Sequence, residues 1–302
     1  MINGGSAKGD DGLNSEDSVQ KLLHRFVAWA RTQDDILAIM NQGSRARVDH
    51  QADEWSDLDL IVFTSNKEKY LNNSDWLQNV GRVTITFIEE TAVGGERERR
   101  VLFEHGIDVD FSIISIEDLE ELVDRPSPEV LDMIRRGVKV LFDKTGFSAR
   151  LPEPSKIPVL KPQPSKEEFD QLVNDFLYHV VWTAKKLRRG ELWTATACSD
   201  SYMTRKLLAM IEWHTLASTG WRADVWFNGR FMEEWADPKI VRALAGTFAH
   251  YDYEDVVKAL LSTSELFLKL ARETGEKLGY DTSISQAGPI MDLAREYLAQ
   301  PR

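Results

Sequence analysis

The sequence predicts an α/β domain with a mixed sheet, followed by an all-α helical bundle. Three observations predict it. Short, β-branched apolar runs fill the first half. Apolar residues at 3.6-residue spacing fill the second. Between them, Leu151–Ser165 carries five of the ten prolines, Pro152, Pro154, Pro158, Pro162 and Pro164. Proline fixes φ and lacks an N–H, so this stretch is expected to be extended and not helical. The expected organisation is a disordered leader over 1–16, an α/β domain over 17–150, a linker over 151–165 and a helical domain over 166–302.

In the first half a helix is expected from Ser15 to about Arg31, with Leu22, Leu23, Phe26, Val27 and Trp29 on its apolar face. Ile36–Met40 is too short to assign between helix and strand. Leu58–Phe63 and Val83–Ile88 read as strands. Val101–Glu104 and Ile107–Ile114 read as a hairpin turning at His105-Gly106. Helical patterns follow at Glu117–Val123 and Pro128–Arg136, then a strand at Val138–Phe142. In the second half, helices are expected at Glu167–Arg189, Glu191–Ser218 (stopping before Gly220), Pro238–Ala249, Glu254–Leu278 and about Gly288–Leu298. A cleft between the two domains is the expected ligand site.

Composition narrows the function. The chain has 302 residues, 42% hydrophobic and 28% charged, as in a soluble globular protein. No apolar run is long enough for a membrane span, and the N-terminus lacks a signal core. One cysteine, Cys198, excludes an intrachain disulfide or a Cys-rich metal site. A cytoplasmic monomer is expected. A net charge of −12 argues against nucleic acid as a partner and suits a cationic small molecule. Six histidines show no H-x-x-x-H spacing, and there is no G-x-x-x-x-G-K-[ST], so a zinc hydrolase and a P-loop kinase are both disfavoured.

The stretch Gly43–Phe63, GSRARVDHQADEWSDLDLIVF, holds the chemistry. Asp57 and Asp59 are spaced i, i+2, which on a strand points both to one face. Two adjacent carboxylates repel, and a hard cation such as Mg²⁺ relieves that. The Gly43-Ser44 turn can aim N–H groups and a hydroxyl at an anion. Further on, Asp108 and Asp110 share one face of GIDVDFSII, while Val109, Phe111 and Ile113 take the other. A charged face on an apolar strand is costly unless it meets water or a cation. Metal plus anion cradle points to phosphoryl or nucleotidyl transfer. Spacing alone does not choose between Asp108 and Asp110.

These motifs resemble the nucleotidyltransferases of the DNA polymerase β type, and more closely the aminoglycoside 6-adenylyltransferases that modify streptomycin. Lys161–Asp170 (KPQPSKEEFD) and Leu207–His214 (LLAMIEWH) resemble further segments of that family, from about residue 17 onward. The resemblance implies a nucleotidyltransferase catalytic domain that transfers AMP from ATP to an aminoglycoside hydroxyl, the streptomycin 6-hydroxyl first. It implies two Mg²⁺ ions held by Asp57, Asp59 and Asp110. Asp110 takes the place of the third carboxylate, as metal ligand, general base or both. Gly43, Ser44 and Arg45 are expected on the triphosphate, with Arg205 and Arg230 as further phosphate contacts. Lys206 is a candidate for the same role. Glu212, Trp213 and Glu233 are the candidates for a cationic acceptor, as is His214 less strongly. The segment Asn228–Glu233 keeps one basic residue, Arg230, where the family often has two lysines. A nucleotidyltransferase with another small-molecule, protein or RNA-end acceptor therefore stays open. A non-catalytic protein on the same fold is disfavoured by the intact carboxylates.

Overall fold

Helix α1 (Ser15–Arg31) opens the first unit with Glu16 and Asp17 in its first turn, where carboxylates meet the positive end of the helix dipole. Its 3.6-period stripe buries Val19, Leu22, Leu23, Phe26 and Ala30. The computed structural model describes residues 15–91, 95–155, 161–280 and 286–300. Residues 1–14 of the expected leader and 156–160 of the expected linker lie outside these. The chain divides into two units, Met1–Val159 and Leu160–Arg302.

Six strands follow α1: β1 (Ile36–Gln42), β2 (Leu58–Thr64), β3 (Val83–Glu90), β4 (Arg97–Phe103), β5 (Asp108–Ser115) and β6 (Lys139–Asp143). They form one mixed sheet in the order β3-β4-β5-β2-β1-β6. The β2–β5 pair is parallel and the others antiparallel. Strand alternation separates two cores. Leu58, Leu60 and Val62 of β2 and Val109, Phe111 and Ile113 of β5 pack with α1, Trp76 and Leu77. Ile61 and Phe63 of β2 pack on the opposite face with Ala38, Met40, Ile114 and Phe147. Leu119 and Val123 of α3 (Leu119–Asp124) cover that face, and α4 (Pro128–Arg136) adds Met133. By the same parity, Asp59 and Asp110 lie on this second face, at the starts of the parallel pair.

Ile36–Met40 is thus a strand. β4 starts at Arg97, earlier than the expected Val101. Its opening Arg-Glu-Arg-Arg lacks apolar alternation because polar bonds replace packing there. Buried Arg99 donates from Nε to the Tyr70 carbonyl (3.1 Å) and from its end to the Leu71 carbonyl. These are last-turn carbonyls of α2 (Lys67–Asn72), so Arg99 caps a helix that the sequence pattern had not shown.

The second unit is helical: α5 (Lys166–Arg188), α6 (Leu192–Ala197), α7 (Thr204–Ser218), α8 (Met232–Trp235), α9 (Pro238–Ala243), α10 (Tyr253–Leu278) and α11 (Ala287–Ala299). Ser165 and Glu168 start α5 with a reciprocal capping box. Phe176 of α5 stacks on Phe267 of α10 at 3.8 Å between ring centres, inside a core shared with α7 and α11. The helix expected over Glu191–Ser218 is divided. Between α6 and α7, Cys198–Met203 forms a wider π turn. That turn sets the Tyr202 hydroxyl 2.9 Å from both Asp175 oxygens, and Lys206 joins the same carboxylate at 2.7 Å. α7 ends as expected before Gly220, whose φ of +63° lets the Trp221 N–H reach the Leu216 carbonyl at 2.7 Å. The helix expected over Pro238–Ala249 ends at Ala243 and gives way to a tighter turn, Leu244–Gly246. Buried Thr247 closes that turn by donating to the Leu244 carbonyl at 2.9 Å.

Residues 161–164 are strapped to the helical unit. The Trp221 indole donates to the Lys161 carbonyl (2.7 Å), and the Tyr280 hydroxyl donates to the Pro164 carbonyl. Among the described residues, no helix is long and apolar enough to cross a membrane.

Candidate active site

Parallel pairing puts Asp59 of β2 directly beside Asp110 of β5. Asp57 sits just before β2, two residues from Asp59 and on the same side. One carboxylate oxygen from each of the three lies within 4.8 Å of the others. Asp110 is buried; Asp57 and Asp59 are partly exposed.

The loop ahead of Asp57 is held by Arg45. Its Nε donates to the Asp57 carbonyl (2.9 Å), Nη2 to the Ser56 carbonyl (2.7 Å) and Nη1 to Glu16 (2.6 Å). The side chain is only 6% exposed. The guanidinium expected on a phosphate is thus engaged in placing an aspartate, because it lies beneath the loop carbonyls.

Gly43 follows β1, whose last residue, Gln42, is in register with Asp59. Its φ is +68°, and a Cβ there would lie 1.9 Å from Asp59 Oδ2. Only glycine admits this approach of turn to carboxylate. Ser44, next in the turn, has a buried hydroxyl oxygen with no hydrogen-bond partner.

β4 adds residues that the sequence reading missed. Arg100 is in register with Asp110, and Glu98 with Ser112. The Arg100 Nε lies 2.8 Å from Asp110 Oδ1. That contact is off the hydrogen-bonding direction, so Oδ1 is buried without a donor. Arg100 Nη1 donates to Glu89 Oε1 at 3.0 Å, and Nη2 is 3.8 Å from Asp108. The Ser112 hydroxyl donates to Glu98 at 3.2 Å. A signal existed: Glu98 and Arg100 have the same i, i+2 spacing as Asp108 and Asp110.

Burial pushes the Asp110 carboxyl up to about 7; Arg100 pulls against this, while Glu98, Asp108 and Asp57 push with it. Burial likewise raises Asp108 and Glu98. Burial opposes the charge on Arg100, yet Glu89, Asp110 and Asp108 hold it above the ordinary arginine value.

The residues fit a divalent cation. Three carboxylates this close repel without one, and an all-oxygen donor set suits Mg²⁺. A buried Asp110 oxygen and the Ser44 hydroxyl oxygen have no hydrogen-bond partner.

A family model described as streptomycin adenylyltransferase matches residues 17–298. The chain belongs to that family. It is 25% identical over 269 residues to an aminoglycoside 6-adenylyltransferase of Bacillus subtilis (strain 168), spanning 87% of this chain and 92% of that protein. It is 22% identical over 273 residues to one of Campylobacter jejuni, spanning 89% and 91%. A crystal structure of an aminoglycoside 6-adenyltransferase from Bacillus subtilis covers 95% of this chain, and this chain covers all of it, at 22% identity and a TM-score of 0.45.

In this streptomycin adenylyltransferase family member, the other candidates belong to the helical unit. Glu212 pairs with Lys161 at 3.0 Å. Trp213 stacks on buried Phe169, 6.0 Å between ring centres. His214 pairs with Glu273 at 2.8 Å. Lys206 is taken up by Asp175. Arg205, Arg230 and Glu233 are exposed. Arg230 lies in a turn where Asn228 and Phe231 both adopt left-handed backbone, φ +55° and +54°.

Proposed function

We propose that this chain transfers AMP from ATP to an aminoglycoside hydroxyl, with the 6-hydroxyl of streptomycin as acceptor. One observation carries the reading: in a member of the streptomycin adenylyltransferase family, Asp57, Asp59 and Asp110 converge within 4.8 Å, with Asp59 against the Gly43 turn.

Asp57, Asp59 and Asp110 would hold two Mg²⁺ ions. When bound, these supply positive charge for the α-phosphate and for the leaving pyrophosphate. The chain does the rest. Arg45 fixes the Asp57 backbone through two carbonyls. Gly43 keeps side-chain bulk away from Asp59, and the Ser44 hydroxyl can turn to a phosphate oxygen. Asp110 is the proton acceptor for the attacking hydroxyl. Without a metal, burial raises its affinity for a proton above that of an ordinary carboxylate; a bound cation would lower it, so in the loaded site Asp110 would meet the hydroxyl as a carboxylate. The new bond joins the hydroxyl oxygen to the α-phosphorus. The α–β bridge breaks, and pyrophosphate leaves with the electron pair.

The test is to incubate the protein with ATP, Mg²⁺ and a panel of aminoglycosides, following pyrophosphate release and product mass. An AMP-sized gain on streptomycin, placed at O-6 by NMR, is the expected result. Turnover confined to another acceptor, or ATP binding with no aminoglycoside turnover, overturns the acceptor assignment.

A further inference from the structure

We propose that Arg100 is a resident counter-cation of the carboxylate site: anchored on Glu89, it lies against Asp110 and competes with a divalent ion for that carboxylate. The proposal rests on the reading of Asp57, Asp59 and Asp110 as a metal site.

Geometry separates the two ends of Arg100. Its directional bond goes to Glu89, Nη1 to Oε1 at 3.0 Å. Its contact with Asp110, Nε to Oδ1 at 2.8 Å, has charge without hydrogen-bond alignment. Asp110 can therefore leave the guanidinium without breaking a hydrogen bond, while Glu89 keeps the guanidinium within reach. The side chain is 31% exposed, so it has room to withdraw toward Glu89. The need for such a cation is electrostatic. Asp57, Asp59, Asp108, Asp110 and Glu98 gather at the starts of β2 and β5 and on the facing part of β4. Arg45, the nearby guanidinium on the Asp57 loop, is spent on backbone carbonyls and Glu16. A metal ion arriving at Asp110 therefore meets a positive charge already beside it. That charge weakens metal binding and makes the metal easier to lose, in exchange for a carboxylate cluster that tolerates its own repulsion.

Mn²⁺ binding, read by electron paramagnetic resonance on the full chain without nucleotide, tests this. Arg100→Met keeps a long stem and removes the charge. Its dissociation constant for Mn²⁺ should fall at least about tenfold, as expected from removing one unit charge a few ångströms away. Arg100→Lys should stay near wild type. Glu89→Gln releases the anchor, lets the guanidinium settle on Asp110 and should weaken Mn²⁺ binding. Unchanged or weaker binding by a folded Arg100→Met overturns the proposal. If that variant does not fold, Glu89→Gln decides, and unchanged or tighter binding there overturns it. Wild-type binding with an unresponsive Arg100→Met defeats this proposal alone. No Mn²⁺ binding by wild type or by any variant defeats the metal reading and this proposal together.

Discussion

At Asp110, burial and the neighbouring carboxylates outweigh the pull of Arg100, and pH reveals the balance. Its carboxyl sits near 7 when folded, against an ordinary value of 3.8. Between those values the folded chain keeps a proton that the unfolded chain releases, so stability falls as pH rises from about 4 to about 7. Asp110→Asn removes that dependence. In metal-free protein, its melting temperature relative to wild type should rise more at pH 8 than at pH 5; a gap that does not vary with pH rejects the assignment. The same change should lower kcat by ~10²-fold or more if Asp110 is the base. Asp57→Asn and Asp59→Asn each remove a ligand charge from a site that folding does not need. Both should abolish turnover with an unchanged circular dichroism spectrum, and near wild-type turnover by either one counts against the site. Gly43→Ala forces a Cβ into Asp59 and places alanine at φ +68°. It should lose activity and about 1–3 kcal/mol of stability, measured by denaturant titration; a silent variant removes the close approach from the argument.

Among the elements, β4 and α5 differ in what holds them. β4 packs at its end through buried Val101 and Phe103, while its opening is kept by polar bonds: Arg99 on α2 carbonyls from one face, Arg100 and Glu98 among carboxylates and Ser112 from the other. This is why the opening Arg-Glu-Arg-Arg escaped recognition, although the apolar end of β4 from Val101, Leu58–Phe63 and Val83–Ile88 were legible. α5 is kept by its capping box and its apolar stripe. Ser165→Ala should cost the helical unit about 1 kcal/mol, seen as a lower urea midpoint with an unchanged slope. No shift in the midpoint means the cap contributes nothing there. The π turn at Cys198–Met203 shows the limit of periodicity. A one-residue widening leaves the apolar pattern on both sides intact, so α6 and α7 read as one helix.

For the whole molecule, charge is the property that reaches furthest. The net charge is −12, and the acceptor proposed is polycationic. Binding should therefore weaken as salt rises, since at about 0.15 M the range of charge is already screened to ~8 Å. Calorimetric titration with streptomycin at low and high salt tests this. Equal affinity at both removes long-range charge from recognition, and no binding at low salt, with ATP still bound, points to a different acceptor. The two units each have an apolar core of their own, and the segment 161–164 is bonded to the second.

The sequence by itself determined the α/β unit followed by helices, because periods of 2 and 3.6 are local and survive without knowledge of neighbours. It also determined Asp57, Asp59 and the Gly43-Ser44 turn, since i, i+2 spacing ahead of an apolar run is a local signal. Spacing leaves Asp108 and Asp110 open and the family resemblance favours Asp110; only the tertiary structure shows the contact itself, since the β2–β5 register sets Asp110 beside Asp59. It also set Arg45, a phosphate candidate, on the carbonyls of the Asp57 loop, and it brought Arg100 against Asp110 from β4. The physical reason is the same in each case. A charged side chain is defined by the partners it meets, and these partners come from strands and loops far away in the chain.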